Sequence, residues 1–128
     1  MNIMIFNDAA VIQEPLLRLI ANSTDGSDHI VSVSNFKNIL MEVLHGKPDV
    51  VILNTYAIRS TIQETIRAIK TICDGVKIIS LTEFHDTLFQ KHLKNSGTDF
   101  MIDIAHNLEQ IPTILIDLKN KSANSNRC

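Results

Sequence analysis

Polar side chains stand directly after four short apolar runs of the chain, and these residues are the most able to do chemistry. They are Asn7 and Asp8 after the first run, Asn54 and Tyr56 after the third, Thr82 after the fourth and Asp103 after the fifth. The carboxylates of Asp8 and Asp103 could hold a cation together; alternatively, Asp8 caps a helix and Asp103 is solvated. The neutral side chains offer hydrogen-bond donors and acceptors to a small ligand.

Five runs rich in β-branched residues alternate with stretches of helical spacing, which predicts repeated strand–helix units. The predicted strands are residues 2–6, 29–33, 50–53, 77–81 and 99–102. Three of these runs are almost continuously apolar, which is typical of parallel strands covered on both faces. We therefore predict an α/β fold with a doubly wound, five-stranded parallel sheet. Sites in such folds lie beyond the carboxyl ends of the strands.

Five helices are predicted between and after the strands, because apolar residues recur there every three or four positions. The apolar faces of the first four comprise Val11, Leu16, Leu19 and Ile20; Phe36, Ile39, Leu40, Val43 and Leu44; Ile62, Ile66, Ile69 and Cys73; and Leu88, Phe89, His92 and Leu93. The fifth helix is predicted over residues 108–119, with Asn107 and Gln110 as a capping box. Pro15 and Pro112 fall within helices, where the missing amide is expected to shift the helix start or kink the helix.

The composition is that of one globular domain: 128 residues, of which 45% are hydrophobic and 20% charged. We expect the domain over residues 1–119 and a polar tail or the start of a linker over residues 120–128. No apolar run reaches the roughly 18 residues of a membrane span, and the first residues do not resemble a signal peptide, so we expect a cytoplasmic protein without membrane contact. The net charge of −2 argues against direct nucleic-acid binding.

The pattern of these residues resembles that of a response-regulator receiver domain. In that family an apolar third strand, often preceded by a Pro-Asp pair, leads to the phosphate-accepting aspartate. Here Pro48 and Asp49 precede such a strand, and Asn54 holds the acceptor position. Thr82 matches the family's hydroxyl position after the fourth strand. Phe100 falls on the aromatic switch position.

The resemblance covers residues 1–119 and implies the flavodoxin-like receiver fold and a role in two-component signal transduction. Residues 77–84 are most similar to those of the LuxR-type transcriptional regulators. The pocket that the resemblance implies is formed by Asn7, Asp8, Asn54, Tyr56, Thr82 and Asp103.

Three departures from the receiver pattern predict that this pocket is degenerate. Asn54 cannot form an acyl phosphate, because its amide lacks the carboxylate nucleophile. Asn7 is neutral where the family has the acidic partner of Asp8, so fewer anionic oxygens remain for Mg²⁺. Asp103 stands at the family's lysine position and would repel a phosphate. We interpret the chain as a pseudo-receiver: independent of phosphorylation, not an enzyme, and requiring neither metal nor cofactor.

A partner surface is implied by the same resemblance, because receivers dimerise or dock through their fourth helix, fifth strand and fifth helix. The candidate residues are Asp86, Gln90, Lys91, Lys94, Glu109, Asp117 and Lys119. Their mixed charge suits a two-fold self-contact, although a plain solvated surface would show the same charges. The sequence thus predicts a transcription-regulating module that acts on itself as a homodimer or on another protein. A DNA-binding output domain would lie outside this segment.

Other interpretations stay open at this stage. The chain could be a stand-alone adaptor, or a domain in which Asn7, Asn54, Tyr56 and Thr82 bind a small ligand in place of phosphate. A phosphotransfer domain could use Asp8 or Asp103 as a substitute acceptor. The chain could also be another flavodoxin-like domain, although the first strand lacks the Ser/Thr/Gly-rich loop that would hold a flavin phosphate.

Overall fold

The computed structural model describes residues 1–83 and 87–121, apart from the side chain of Ala57. Strands and helices alternate along the whole described chain. The strands are β1 (Asn2–Phe6), β2 (His29–Val33), β3 (Val50–Asn54), β4 (Lys77–Thr82) and β5 (Phe100–Asp103). The helices are α1 (Ala10–Ala21), α2 (Ile39–Gly46), α3 (Ile62–Ile72), α4 (Thr87–Ser96) and α5 (Ile111–Lys121). Single 3₁₀ turns precede α3 and α5, at Tyr56–Ile58 and Leu108–Gln110.

The five strands form one parallel sheet in the order β2-β1-β3-β4-β5, which confirms the predicted fold class. Chain order reverses between β1 and β3, and the two strands pair so that Phe6 lies beside Leu53. The residues that follow β1 and β3 therefore emerge next to each other, at the point where ligands bind in open α/β sheets.

Two apolar layers cover the sheet because successive side chains of a strand point to opposite faces. Helices α1 and α5 cover one face, forming the α1/α5 layer: Ile3, Ile5, Leu16, Ile20, Val50, Ile52, Ile79, Leu81, Ile102, Ile111, Leu115 and Leu118. Helices α2, α3 and α4 cover the other, forming the α2–α4 layer: Met4, Phe6, Ile39, Val43, Val51, Leu53, Ile62, Ile66, Ile69, Cys73, Val76, Ile78 and Leu93. All five residues of β3 are buried, as its continuous apolar sequence predicts.

Some predicted helix faces are wrong. Val11 is 88% exposed, because Ile12 takes the position that faces the core one residue further along α1. Leu40 and Leu44 are also exposed, since only Ile39 and Val43 of the short α2 point inward. The apolar face of α4 is narrower than predicted as well: Leu93 is buried, and Leu88 is exposed.

The start of the fifth helix also differs from the prediction. Asn107 makes no side-chain capping hydrogen bond, so the predicted capping box is wrong. The chain instead makes a 3₁₀ turn and enters α5 at Ile111, with Pro112 in the first turn, where a proline has no intrahelical hydrogen bond to lose. Pro15, by contrast, lies inside α1. The C-terminal end of α5 is Lys121, two residues beyond the predicted domain boundary, and residues 122–128 of the predicted tail lie outside the described part of the chain.

Helix α4 ends in a glycine that holds a left-handed conformation. Gly97 has φ +118°, its amide donates to the Lys94 carbonyl at 3.3 Å, and the Thr98 amide donates to the Leu93 carbonyl at 3.1 Å. This pair of bonds is a Schellman motif, which satisfies carbonyls at the end of the helix.

Strand β2 lies at one edge of the sheet and is exposed on both faces. Ile30 and Val31, which point to opposite faces, are 37% and 47% exposed. Within residues 1–83 and 87–121, no helix is both long enough and apolar enough to cross a bilayer.

Candidate functional site

The ends of β1 and β3 bring two buried asparagines into contact. Asn7 and Asn54 are 3% and 2% exposed, and the Asn54 Nδ2 donates to Asn7 Oδ1 at 2.8 Å. Asn54 Oδ1 accepts the Tyr56 amide at 3.2 Å, and Asn7 Oδ1 also accepts the Ala9 amide at 3.1 Å. Both ends of the Asn54 side chain are therefore hydrogen-bonded, as buried amides must be.

This contact continues toward the edge of the sheet. Asn7 Nδ2 donates to Gln13 Oε1 at 2.7 Å, and Gln13 Nε2 donates to Ser32 Oγ at 2.6 Å. We name Asn54, Asn7, Gln13 and Ser32 the amide chain. It joins β3, β1, α1 and β2 through uncharged groups.

Gln13 and Ser32 were not predicted from the sequence. Ser32 carries one weak signal, since it is the one hydroxyl in an otherwise apolar stretch between Ile30 and Val33. Gln13 carries none, because its role depends on the reach of a long side chain from α1 toward β2.

Asp8 lies apart from the amide chain, at the mouth of a surface cavity of about 330 Å³. The cavity lies between the segment after β1 and the end of β2, and it is lined by Asn7, Asp8, Ala9, Ala10, Gln13, Ser32 and Ser34. Asp8 is exposed and receives no hydrogen bond or ion pair from any described residue. The alternative in which it caps α1 is therefore wrong; the residue before the helix, Ala9, has no side chain that could do so.

Asp103 is buried, so the alternative in which it is solvated is wrong as well. Its side chain is only 7% exposed, and Oδ1 accepts the Ala105 amide at 2.9 Å. Oδ2 lies 3.1 Å from the His106 Nδ1. The carboxylate thus helps to order the turn after β5. Thr82 pairs with Asp103 in the sheet, and its hydroxyl donates to the Ile102 carbonyl at 3.4 Å.

The remaining predicted pocket residues lie further out. Tyr56 is 65% exposed and opens the 3₁₀ turn after β3. Phe100 is half-buried at the start of β5 and packs against the α1/α5 layer. Arg59, which follows the turn, stacks on the ring of Phe89 in α4, with the guanidinium carbon 4.1 Å from the ring centroid.

The residues of the predicted partner surface differ in exposure. Lys91 and Lys94 on α4, and Glu109 and Asp117 near and on α5, are exposed, and Gln90 is half-buried. Asp86 lies outside the described residues. Exposed apolar side chains stand among these charges: Leu88 on α4, Met101 on β5 and Ile116 on α5.

Lys119 belongs to a different group of charges, which we name the ionic cluster. Its Nζ binds Asp25 at 2.9 Å and Asp28 at 2.8 Å, and Asp28 also accepts the α-amino group of Met1 at 2.8 Å. Burial raises the pKa of Asp28, but hydrogen bonds from Lys119 and the α-amino group outweigh it and leave the pKa below its ordinary value. Those hydrogen bonds to Asp28 and Asp25 raise the pKa of Lys119. The cluster ties the last turn of α5 to the beginning of the sheet.

Among the described residues, no three His, Cys, Asp or Glu side chains converge as a set of ligands. The acidic residues of the pocket are also divided, since Asp8 faces solvent and Asp103 is bound to its own loop.

Comparison with solved structures gives a consistent result for the fold. The signal receiver domain of a DNA-binding response regulator from Colwellia psychrerythraea superposes with a TM-score of 0.82 at 16% identity, covering 94% of this chain and 98% of that one. A LuxR-family DNA-binding response regulator from Staphylococcus aureus gives 0.69 at 19% identity, covering 96% and 98%. The chain has the receiver fold.

Proteins assigned to a process other than response regulation share this fold. A protein assigned to pilus assembly from Burkholderia pseudomallei matches with a TM-score of 0.79 at 12% identity, covering 98% of this chain and 94% of that one. No protein-family model matches the sequence, and no curated protein does. The receiver fold is therefore established by shape rather than by close sequence similarity.

Proposed function

We propose that this protein is a regulatory module with a receiver fold that transmits signals through protein–protein contact and independently of phosphorylation. The similarity to receiver domains of response regulators supports a role in signal transduction. The proposed module is not an enzyme and needs no cofactor. Its expected place is the cytoplasm, an expectation that comes from the sequence.

The side chain of Asn54 is the observation that carries this proposal. A receiver accepts a phosphoryl group on a carboxylate oxygen, whereas Asn54 presents an amide whose nitrogen donates a hydrogen bond to Asn7 Oδ1 and whose oxygen accepts one from the Tyr56 backbone amide. An amide oxygen is a poor nucleophile, and attack through it would compete with the hydrogen bond that it accepts from the Tyr56 amide.

The surrounding charges support the same proposal. Phosphoryl transfer needs cations that neutralise the charge on the transferring group. Asp8 is the one carboxylate on the segment after β1, so it holds a divalent cation weakly. Asp103 takes the lysine position with a negative charge, and its oxygens are bound in the turn after β5.

The contact surface that we propose comprises α4, β5 and α5. Each of these elements carries an exposed apolar residue, and exposed charges of both signs lie on α4, on α5 and in the turn before α5: Leu88, Met101, Ile116, Lys91, Lys94, Glu109 and Asp117. Protein interfaces combine apolar side chains with polar and charged ones. The contact is a homodimer or a complex with another protein, and a DNA-binding output domain would belong to a segment or partner outside this chain.

The test is exposure to a phosphoryl donor. The protein is incubated with acetyl phosphate and Mg²⁺, and separately with fluoroberyllate and Mg²⁺, and its intact mass and light scattering are measured. We expect an unchanged mass and an oligomeric state that ignores both additions. A phosphorylatable receiver domain run in parallel shows that the reagents work.

Two variants locate any phosphoryl group that is found. A gain of one phosphoryl group in the wild-type protein would overturn the proposal. Loss of that gain in Asp8→Asn or Asp103→Asn would then identify the substitute acceptor and establish the phosphotransfer alternative.

A further inference from the structure

The surface cavity beside Asp8 has no role in the proposed function. Its volume of about 330 Å³ is near the lower end for small-molecule sites and corresponds to the space of about ten water molecules. It borders the amide chain, since Asn7, Gln13 and Ser32 contribute to both.

The charge of the lining residues determines which sign of charge the ligand should carry. Asp8 is the one ionisable side chain among the seven lining residues, and its carboxylate has no partner within the described part of the chain. An anion would meet repulsion from Asp8 with no lysine or arginine in the lining to offset it. A cation with a single charge would leave the occupied cavity neutral.

Hydrogen-bonding capacity narrows the class further. The Asp8 carboxylate accepts only, and the hydroxyl oxygens of Ser32 and Ser34 accept as readily as they donate. The polar atoms of Asn7 are already engaged with Asn54, Ala9 and Gln13. The lining therefore fits a ligand rich in N–H donors, such as an alkylammonium or a guanidinium group.

Mg²⁺ fits this cavity poorly. A hard divalent cation prefers several anionic or carbonyl oxygens at fixed octahedral distances. Among its side chains, the cavity offers one carboxylate on the segment after β1 and two hydroxyls at the end of β2. An organic cation does not require octahedral coordination, because each of its N–H groups needs only one acceptor.

We propose that this cavity binds a small organic monocation, with Asp8 forming the charge-assisted hydrogen bond and Ser32 and Ser34 accepting further N–H groups. The binding does not rest on the proposed interaction function. The bound ligand would also hydrogen-bond to Ser32, whose Oγ accepts Gln13 Nε2. Binding would therefore change the hydrogen bonds of the amide chain, from Ser32 as far as Asn54.

The experiment is a titration of the ¹⁵N-labelled protein followed by NMR, with methylguanidinium as the probe. Acetate, ethylene glycol and Mg²⁺ are titrated separately as the anionic, neutral and divalent comparisons. We expect saturable shifts for methylguanidinium at the backbone amides of Asp8, Ala9 and Ser32. The side-chain NH₂ signals of Asn7 and Gln13 should move with the same midpoint, which attraction to the charge of Asp8 alone would not produce.

Two variants with the same change in net charge separate the site from general electrostatics. Asp8→Asn removes the proposed ligand-binding carboxylate, and Glu14→Gln removes a carboxylate on the following helix, α1, that is paired with Arg18 and does not line the cavity. We expect about tenfold weaker binding in Asp8→Asn, the loss typical of one charge-assisted hydrogen bond, and unchanged binding in Glu14→Gln.

Several results would overturn the proposal. These are shifts that never saturate with methylguanidinium, equal weakening in both variants, or saturation with acetate or ethylene glycol instead. Saturation by Mg²⁺ alone would replace the organic cation with a metal at Asp8. None of these results would bear on phosphorylation of residue 54, which the mass measurement decides.

Discussion

At the scale of single residues, the buried amide of Asn54 has two effects: it removes the carboxylate nucleophile, and it adds a hydrogen bond inside the fold. Its Nδ2 is the donor that satisfies Asn7 Oδ1, so the position has become part of the internal hydrogen bonding of the sheet. An aspartate at this position, as in the receiver pattern, would disturb these hydrogen bonds even without phosphorylation.

We therefore expect Asn54→Asp to destabilise the protein at neutral pH. The carboxylate would place an oxygen 2.8 Å from Asn7 Oδ1 with no proton between them. The expected loss is about 1–3 kcal/mol of unfolding free energy, measured by urea denaturation. The matched control is Asn35→Asp, an exposed position whose Oδ1 accepts the Lys37 amide and where Asp keeps that oxygen. An equal effect of both substitutions would contradict the role of the Asn54 amide.

Asp28 gives a prediction for pH dependence. The pKa of Asp28 is lowered in the folded state, so the unfolded chain takes up a proton at a higher pH than the folded one does. The stabilisation is present above the ordinary aspartate pKa of about 4 and is lost as the pH falls below it. Asp28→Asn should cost about 2 kcal/mol at pH 7 and progressively less at acidic pH, as measured by urea denaturation across the pH range.

The exposed pair of Asp117 and Lys121 serves as the control for Asp28. Its atoms are 3.0 Å apart, but the side chains are 54% and 73% exposed, so Asp117→Asn should change stability by less than about 0.5 kcal/mol. If Asp28→Asn lowered the free energy of unfolding by the same amount at every pH, the ionic cluster would stabilise the protein through packing rather than through charge.

At the scale of elements, the end of α4 depends on one backbone conformation. Gly97 holds φ +118°, and a Cβ there would lie 3.2 Å from Lys70 Cγ. Gly97→Ala should destabilise the protein by about 1–2 kcal/mol in thermal or urea unfolding. Gly26→Ala is the control, because its Cβ would meet nothing within 4 Å and its φ is not positive, so no loss is expected. Equal losses would contradict the requirement for a left-handed residue at 97.

The strands were predictable from the sequence because their environment is uniform. β3 is buried along its whole length, and a continuous apolar run in the sequence predicts such burial. Helix faces were less predictable, since an apolar side chain near a helix end can point to solvent, as Val11 does. The end of β5 lies one residue beyond the predicted end. The backbone of Asp103 still pairs with β4, while its side chain accepts a hydrogen bond from the following turn.

The candidate site was predictable only where the sheet itself fixes it. Asn7 and Asn54 follow neighbouring parallel strands, so their proximity follows from strand order. Gln13 reaches the site through a side chain with several rotatable bonds, and no spacing rule selects its partner. The role of Lys119 in the ionic cluster likewise depends on where α5 ends relative to Asp28, a distance that periodicity does not encode.

At the scale of the whole molecule, the proposed contact surface makes a prediction about self-association. If two copies meet through α4, β5 and α5, reversing the charge at Lys91 and Lys94 should weaken the dimer about tenfold, measured by light scattering across concentrations. Lys37→Glu, at an exposed position near the opposite edge of the sheet, should leave association unchanged. A dimer that tolerates the double reversal would exclude this surface as the self-contact.

The exposed edge strand β2 has a consequence for how the molecule opens. Its backbone is paired on one side only, with β1, and neither apolar layer covers it fully. Its amide protons should therefore exchange with solvent through local opening, whereas those of β3, paired on both sides and buried, wait for global unfolding. Since Ser32 belongs to β2, a ligand in the neighbouring cavity would slow exchange in that strand first. Exchange of the edge-strand amides would therefore report binding of the ligand, even where the global stability of the fold does not change.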